Sequence, residues 1–444
     1  MTPVEFAHSI CGALQRAGYQ ALLVGGCVRD LLLKREPADY DVATNAKPDE
    51  VLKLFPQGIT VGAQFGVILV PHDGIKVEVA TFRSDVGYAD GRHPDRVEYS
   101  GSAEEDVERR DFTINGLLMR HDTGEVLDFV HGQADLREGL IRAIGAPERR
   151  FAEDKLRMLR AVRFAARFKY AIEPETFEAI RRHAREISQV SLERIREELT
   201  KMLTEGKARR AFELMDSCGL LAMVAPEISA LHGVEQPPQY HPEGDVWTHT
   251  MMMLEGLPAN CPPTLAWGVL LHDVGKPATF RSARETGDRI RFDGHVEVGM
   301  AIGRILLRRL RFSNDDTEQI LSLVEQHMRF KDVRRMKPAT LKRFVRLPQF
   351  EQHLDLHRLD CLSSNRNLEA YDFVKEFVGK TPPDEVRPPK LLTGDDLLKE
   401  GYRPGPLLGK ILASVEEAQL NGELRSAEEA KSFVRTHFVQ AKGS

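Results

Sequence analysis

The chain has 444 residues, which at ~150 residues per domain is too many for one core and points to about three. Hydrophobic residues make up 42% and charged residues 29%, which excludes disorder as the main state. Lys and Arg total 62 against 67 Asp and Glu, a net charge of −5, so the chain does not coat nucleic acid by bulk charge and any RNA contact must come from local patches.

No apolar run approaches the ~18 residues of a membrane span. The opening MTPVEFAHSICGALQRAGYQ has no basic-then-apolar signal layout. Cys11, Cys27, Cys218, Cys261 and Cys361 are scattered and form no CxxC, which suits a reducing cytoplasm better than a disulfide framework.

In chain order, ALLVGG (21–26) reads as a strand ending in a Gly-Gly turn, and VRDLLLK (28–34) as a helix. ITVGAQFGVILVPH and GIKVEVATFR read as strands joined by a DG turn. From about residue 150 the period becomes helical. FAEDKLRMLRAVRFAARF sets Leu156, Leu159, Val162, Phe164, Ala166 and Phe168 around one helix, with arginines opposite. SLERIREELTKML continues in that style, and ARRAFELMDSCGLL ends at a C-capping glycine. VEQPPQYHPEGDVW (234–247) is Pro/Gly-rich and marks a boundary, and KTPPDEVRPPK (380–390) reads as a second linker. Residues 247–378 are helical and rich in histidine, and 391–444 reads as short helices.

The strongest local chemistry is LLVGGCVRDLLL followed by PADYDVAT. Asp39 and Asp41, two apart on an extended segment, share a face. Paired carboxylates of this kind hold Mg²⁺ for nucleotidyl transfer. Gly25 and Gly26 lead into a helix N-terminus that can cradle a triphosphate, with Arg29 one turn in. In KVEVATFR the alternation places Glu78 on an otherwise apolar strand, where a metal beside Asp39 and Asp41 would offset the cost of burial.

GGCVRDLLL, DYDVAT, KVEVATFR, RRDFTINGL and EDKLRMLRAVRFAARF resemble the successive motifs of class II bacterial tRNA nucleotidyltransferases and related poly(A) polymerases, over about residues 20–230. The resemblance implies an α+β chain: a polymerase-β-like head with a five-stranded sheet and helices, then an all-α neck and body and a helical tail. It implies that Asp39 and Asp41 bind two catalytic Mg²⁺ ions and that Glu78 helps activate the attacking 3′-hydroxyl. It places Arg110, Asp111 and Asn115 near the nucleotide sugar, although Asp111 also suits a helix N-cap before FTINGLLM. It makes SDVGYADGRHPDRVEYSGSAEED (84–106) the loop that helps the switch from CTP to ATP.

The resemblance assigns base selection to Glu153, Asp154 and Arg157. The chemistry agrees with that role. Cytosine and adenine both show an amine beside a ring-nitrogen acceptor, so a carboxylate next to a guanidinium takes both and leaves U and G mismatched. On one helix, Asp154 and Arg157 at i,i+3 also make an ordinary surface pair. The arginines of RMLRAVRFAARFK, Arg160 and Arg163 among them, fall on several faces of one helix and can face the triphosphate or an RNA acceptor stem. Residues 149–210 hold 17 Lys/Arg against 10 Asp/Glu, and 329–346 hold eight against one, as RNA-facing patches or solvated faces.

A second constellation is His249, the dipeptide His272-Asp273, His295, His327 and Asp360. Imidazoles and carboxylates projected inward from helices suit a divalent Ni, Mn, Fe, Zn or Mg ion that activates water. The order resembles an HD phosphohydrolase domain over about 245–365. That resemblance implies a first metal on His249, His272, Asp273 and Asp360, and a second metal or a phosphate contact at His295 and His327. Lys276 in HDVGK stands ready for phosphate.

The expected division is a head at 1–145, neck and body at 146–235, an HD domain at 240–378 and a tail at 391–444. The expected function is CCA addition to the tRNA 3′ end from CTP and ATP, with a metal-dependent phosphohydrolase beside it and no obligate protein partner. Addition of A alone, poly(A) polymerisation, and an RNA scaffold with an inactive head stay open as alternatives. VGAQFGVILVPHDG lacks the basic residues expected of the polymerase subgroup.

Overall fold

The computed structural model describes residues 1–61, 66–86 and 96–438. The chain forms two compact units. One is Met1–Ala230 with Leu257–Asn260 and Arg309–Arg311; the other is Leu231–Gly256, Cys261–Arg308 and Phe312–Ser444.

The first unit is built on a mixed sheet. Its strands are β1 (Ala21–Val24), β2 (Asp41–Thr44), β3 (Ile59–Thr60), β4 (Val67–His72), β5 (Ile75–Thr81), β8 (Leu118–Met119) and β9 (Val126–Leu127). A separate ribbon pairs β6 (Arg83–Val86) with β7 (Arg96–Tyr99). The sheet order is β3-β4-β5-β2-β1-β8-β9, so the expected five strands are corrected to seven. The strands β3, β8 and β9 have two residues each, too short to show a period of two in sequence.

The β4–β5 hairpin turns at Asp73 and Gly74, both at positive φ (47° and 82°), as a DG hairpin turn requires. Along β5, Val77, Val79 and Thr81 are buried while Lys76 and Glu78 are exposed, as the alternation predicts. The helix Pro3–Arg16 covers one side of the sheet with Phe6, Ala7, Ile10, Cys11 and Leu14, after a capping box of Thr2 and Glu5. In the proposed switching segment, β6 and β7 occupy parts of what reads as loop, and residues 87–95 lie outside the described residues.

FAEDKLRMLRAVRFAARF is not one helix. It breaks into Pro147–Glu153 and Leu156–Phe168, with Asp154 extended between them (φ −150°, ψ 106°). The Asp154 carboxylate accepts the Leu156 N–H at 3.0 Å, a local bond that competes with helix continuation. Leu156–Phe168 then packs against Leu192–Thr204 and Ala208–Ser217.

The second unit is helical. Pro263–Leu271 is apolar on all sides and packs against Val246–Glu255, Asn314–Gln326 and Phe350–Ser363, with Trp267 fully buried. The tail helices Gly394–Lys399, Pro406–Leu420 and Ala427–His437 enclose their own cluster around Leu397, Ile411, Val415 and Val434. Among the described residues, no helix is long and apolar enough to cross a membrane.

Candidate active sites

In the first unit, parallel pairing of β2 with β5 sets Asp41 directly opposite Glu78. Asp39 lies just before β2, exposed, and not on the strand itself. Burial, the nearby Glu78 and then Asp39 push the Asp41 carboxyl up to about 6, against the pull of Arg110. Glu78 is exposed, so the burial cost inferred for it from sequence does not apply. Asp39, Asp41 and Glu78 are not among the groups of the described residues whose potential ligand atoms all lie within 4.8 Å of one another.

Asp41 borders a cleft of about 510 Å³ that is lined by eight arginines: Arg29, Arg109, Arg110, Arg157, Arg160, Arg163, Arg167 and Arg194. Gly25 and Gly26 form part of its wall. Gly25 sits at φ +74°, a conformation that favours glycine, and a Cβ there would meet the Arg110 guanidinium at 3.2 Å.

Most of these arginines are held in place. The buried Asp106 takes Arg109 on Oδ1 (2.6 Å) and Arg110 on Oδ2 (2.9 Å). Asp111 accepts two bonds from Arg160 (2.9 and 2.6 Å) and one from Asn115 (3.0 Å). Although burial alone would raise it, Arg160 and Asn115 bring the Asp111 carboxyl down to about 2. The amide oxygen of Asn115 accepts from Arg29, which also bonds Asp30 and stacks 4.7 Å over Phe168. Arg163 forms a buried pair with Glu198 at 2.6 Å. Asp111 does not cap a helix. A single 3₁₀ turn, Thr113–Asn115, follows it and leads to β8.

The expected pair of Asp154 with Arg157 is also corrected. Asp154 is held by Arg194 through two bonds (3.1 and 2.7 Å). Arg157 bonds Glu153 (2.7 Å) and the carbonyls of Arg150 and Arg109 (3.1 and 2.9 Å). The helix break at Asp154 turns the two groups to different partners.

In the second unit, His249, His272, Asp273, His295, His327 and Asp360 converge from five helices or their ends. Among the described residues of this unit three groups of potential ligands form, of which one, His241, Glu243 and His249, lies behind His249 and two lie among these six residues. Of those two, one is His249, His272 and Asp360; the other is Asp273, His295 and His327. Asp273 Oδ2 lies 3.0 Å from His272 Nε2, while Oδ1 is 3.9 Å from Nε2 of both His295 and His327. Nδ1 of His272 and of His295 faces the carbonyl three residues back, at 2.8 and 2.9 Å, and His327 does the same at 2.6 Å. A carbonyl only accepts, so Nδ1 carries a proton in each of the three, and Nε2 is the nitrogen left to act as a ligand.

The Nε2 atoms of His249, His272 and His295 are buried and make no well-aligned hydrogen bond, although Asp360 Oδ1 lies 3.3 Å from the first and Asp273 Oδ2 3.0 Å from the second. Burial lowers the pKa of His295 and takes His327 down to about 4, which keeps both neutral. Despite burial, His272 and Lys276 hold Asp273 well below the ordinary carboxylate range. Lys276 bonds Asp273 at 2.7 Å and Gln236 at 2.6 Å. The cluster opens into a cavity of about 680 Å³ that Arg289, Phe292, Lys331 and Arg334 also line. Gly275 seats this turn on the helix His295–Arg309, since a Cβ there would strike the His295 carbonyl oxygen.

A CCA-adding enzyme from Levilactobacillus brevis is 32% identical over 422 residues, covering 95% of this chain and 94% of its own length. The chain belongs to the CCA-adding enzyme family. A relative from a Geobacillus species is 31% identical over 96% of this chain and 95% of its own length. One from Lactobacillus delbrueckii is 40% identical over 260 residues, which is 57% of this chain and 65% of its own length. Residues 21–142 match the Poly A polymerase head domain, 169–231 match the "Probable RNA and SrmB-binding site of polymerase A", and 298–431 match tRNA nucleotidyltransferase domain 2. The crystal structure of the Bacillus stearothermophilus CCA-adding enzyme in complex with CTP superposes with a TM-score of 0.74 at 27% identity, covering 98% of this chain and 99% of that one. The head is therefore the polymerase-β-like nucleotidyltransferase fold of that family.

Sequence reasoning missed Arg109, Arg167 and Arg194 in the cleft and Asp106 beneath it. The spacing of Asp106 from Arg109 and Arg110, at i+3 and i+4, was a usable signal. It also missed Gln236, His241 and Glu243, because their segment reads as a linker. In the structure, Pro237, Tyr240 and His241 line the cavity of the second unit.

Proposed function

We propose that this chain adds C, C and A to the 3′ end of tRNA from CTP and ATP. The observation that carries the reading is the parallel register that sets Asp41 beside Glu78 at the edge of an arginine-lined cleft. Family membership supports it, as do the CTP, ATP and tRNA complexes among the structurally similar CCA-adding enzymes.

Asp39 and Asp41 would hold Mg²⁺, with Glu78 beside them to help activate the attacking 3′-hydroxyl. The donors are hard oxygens, and a cation would relieve the strain that raises the Asp41 carboxyl. When bound, the ions stabilise the attacking and leaving oxygens of an in-line displacement at the α-phosphate. Gly25, Gly26, Arg110 and Arg160 face the triphosphate. Arg29, Asp111, Asn115 and Arg163 frame the cleft through their mutual bonds. Asp154 accepts the exocyclic amine of C or A and Arg157 donates to the ring nitrogen, with Arg194 and Glu153 seating them.

The convergence of buried imidazoles and carboxylates favours a second activity in the second unit, a metal-dependent phosphohydrolase of the HD type. His249, His272, Asp273 and Asp360 would hold one divalent ion, and His295 and His327 a second ion or the phosphate. Buried imidazoles with carboxylates suit Mn, Fe, Ni or Zn, and also accept Mg. When bound, such an ion lowers the pKa of water for attack on a phosphate ester. Lys276 faces the phosphate.

Gel extension of a tRNA ending before CCA, one ending in CC, and an unrelated oligonucleotide tests the first activity. Three additions stopping at A on the first tRNA are expected. Extension of the CC-ended tRNA alone, or long tails on the oligonucleotide, overturns the reading. Asp41→Ala abolishes addition and spares phosphatase activity, and Asp273→Ala does the reverse. Loss of both activities in either folded variant refutes two separate sites.

A further inference from the structure

His272, His295 and His327 each direct Nδ1 at a backbone carbonyl three residues back. His249 does not. The carbonyl three residues before it, that of Val246, accepts the Thr250 hydroxyl at 2.8 Å. Nδ1 of His249 lies instead 2.7 Å from Glu243 Oε1. The same oxygen lies 2.9 Å from His241 Nδ1, so the carboxylate is gripped from two sides.

Glu243 is a costly residue to place there. Its side chain is 4% exposed, and its second oxygen, Oε2, has no hydrogen-bond partner. A backbone carbonyl serves the other three histidines, so orientation alone does not require a carboxylate. A carboxylate behind an imidazole does two things. It fixes the proton on Nδ1, which leaves Nε2 as the donor, and it makes that nitrogen a stronger ligand. Here Nε2 of His249 is buried and faces Asp360 Oδ1 at 3.3 Å.

We propose that Glu243 is a positioning residue for the metal centre, anchoring His249 so that Nε2 enters the site as its strongest imidazole donor; this rests on the metal-centre reading above. Pro237, Tyr240 and His241, from the same Pro/Gly-rich segment, line the cavity, and Gln236 holds Lys276. That segment is thus a strap across the centre rather than a tether.

The test is Mn²⁺ titration by calorimetry of the EDTA-treated full chain, comparing wild type with Glu243→Gln, Glu243→Ala and Asp273→Ala. Far-UV circular dichroism and the metal-free melting temperature serve as folding controls. Glu243→Ala is expected to weaken the tighter Mn²⁺ site ~10–100-fold. Glu243→Gln, which keeps the shape and one acceptor but loses the charge, is expected to fall between. If Glu243→Ala does not fold, Glu243→Gln alone decides. Wild-type Mn²⁺ affinity in the Glu243 variants, with binding lost in Asp273→Ala, overturns the role of Glu243 and leaves the metal centre standing. Wild-type affinity in Asp273→Ala overturns the metal centre itself.

Discussion

Asp111 joins the head to the helix Leu156–Phe168, because its carboxylate takes two bonds from Arg160 and one each from Asn115 and the Phe112 N–H. Asp111→Asn keeps the shape and removes the charge. The fold brings the carboxyl from its ordinary 3.8 down to about 2, which at ~1.4 kcal/mol per tenfold change is worth about 2 kcal/mol of stability at neutral pH. The acid is stronger in the fold than in the unfolded chain. The stabilisation is therefore complete well above pH 3.8 and disappears as pH falls from 3.8 toward 2. Urea unfolding followed by circular dichroism on wild type, Asp111→Asn, Arg160→Gln and the double variant gives a coupling energy. A coupling of about 1–2 kcal/mol is expected at pH 7, since Asn115 and Arg157 share in lowering the carboxyl, and it shrinks by about half near pH 3. A coupling under ~0.5 kcal/mol at pH 7, or one unchanged down to pH 3, refutes the assignment of the stabilisation to this pair.

Arg194→Ala removes the two bonds that hold the Asp154 carboxylate, so selection of CTP and ATP over UTP and GTP is expected to fall about tenfold. Single-turnover kcat/KM with each of the four nucleotides measures this, and unchanged selectivity removes Arg194 from base reading. Gly275→Ala drives a methyl into the backbone at His295 and Gly299, and is expected to cost ~1–3 kcal/mol in urea unfolding while lowering bound Mn²⁺. Normal stability and metal content in that variant would show that the helix His295–Arg309 yields freely.

Local patterns that repeat within a few residues were legible in the amino-acid order. The alternation along β5, the DG hairpin turn and the Gly-Gly turn at Gly25 depend on neighbours in sequence, and all were read from it. The metal-type cluster was legible as residue types in order, because imidazole and carboxylate chemistry on successive helices has few other uses.

Partnership was not legible. That Asp154 bonds Arg194, 40 residues away, and Arg163 bonds Glu198, 35 away, depends on which helices pack together. The break at Asp154 arose from a carboxylate turning to a local N–H, which helical periodicity does not register. Two-residue strands at the sheet edges carry too few side chains for a pattern. The segment 234–247 has the composition of a linker and the role of a wall. Composition reports the cost of ordering a segment, whereas the tertiary fold supplies the buried Lys276 and His249 whose bonds to Gln236 and Glu243 offset it.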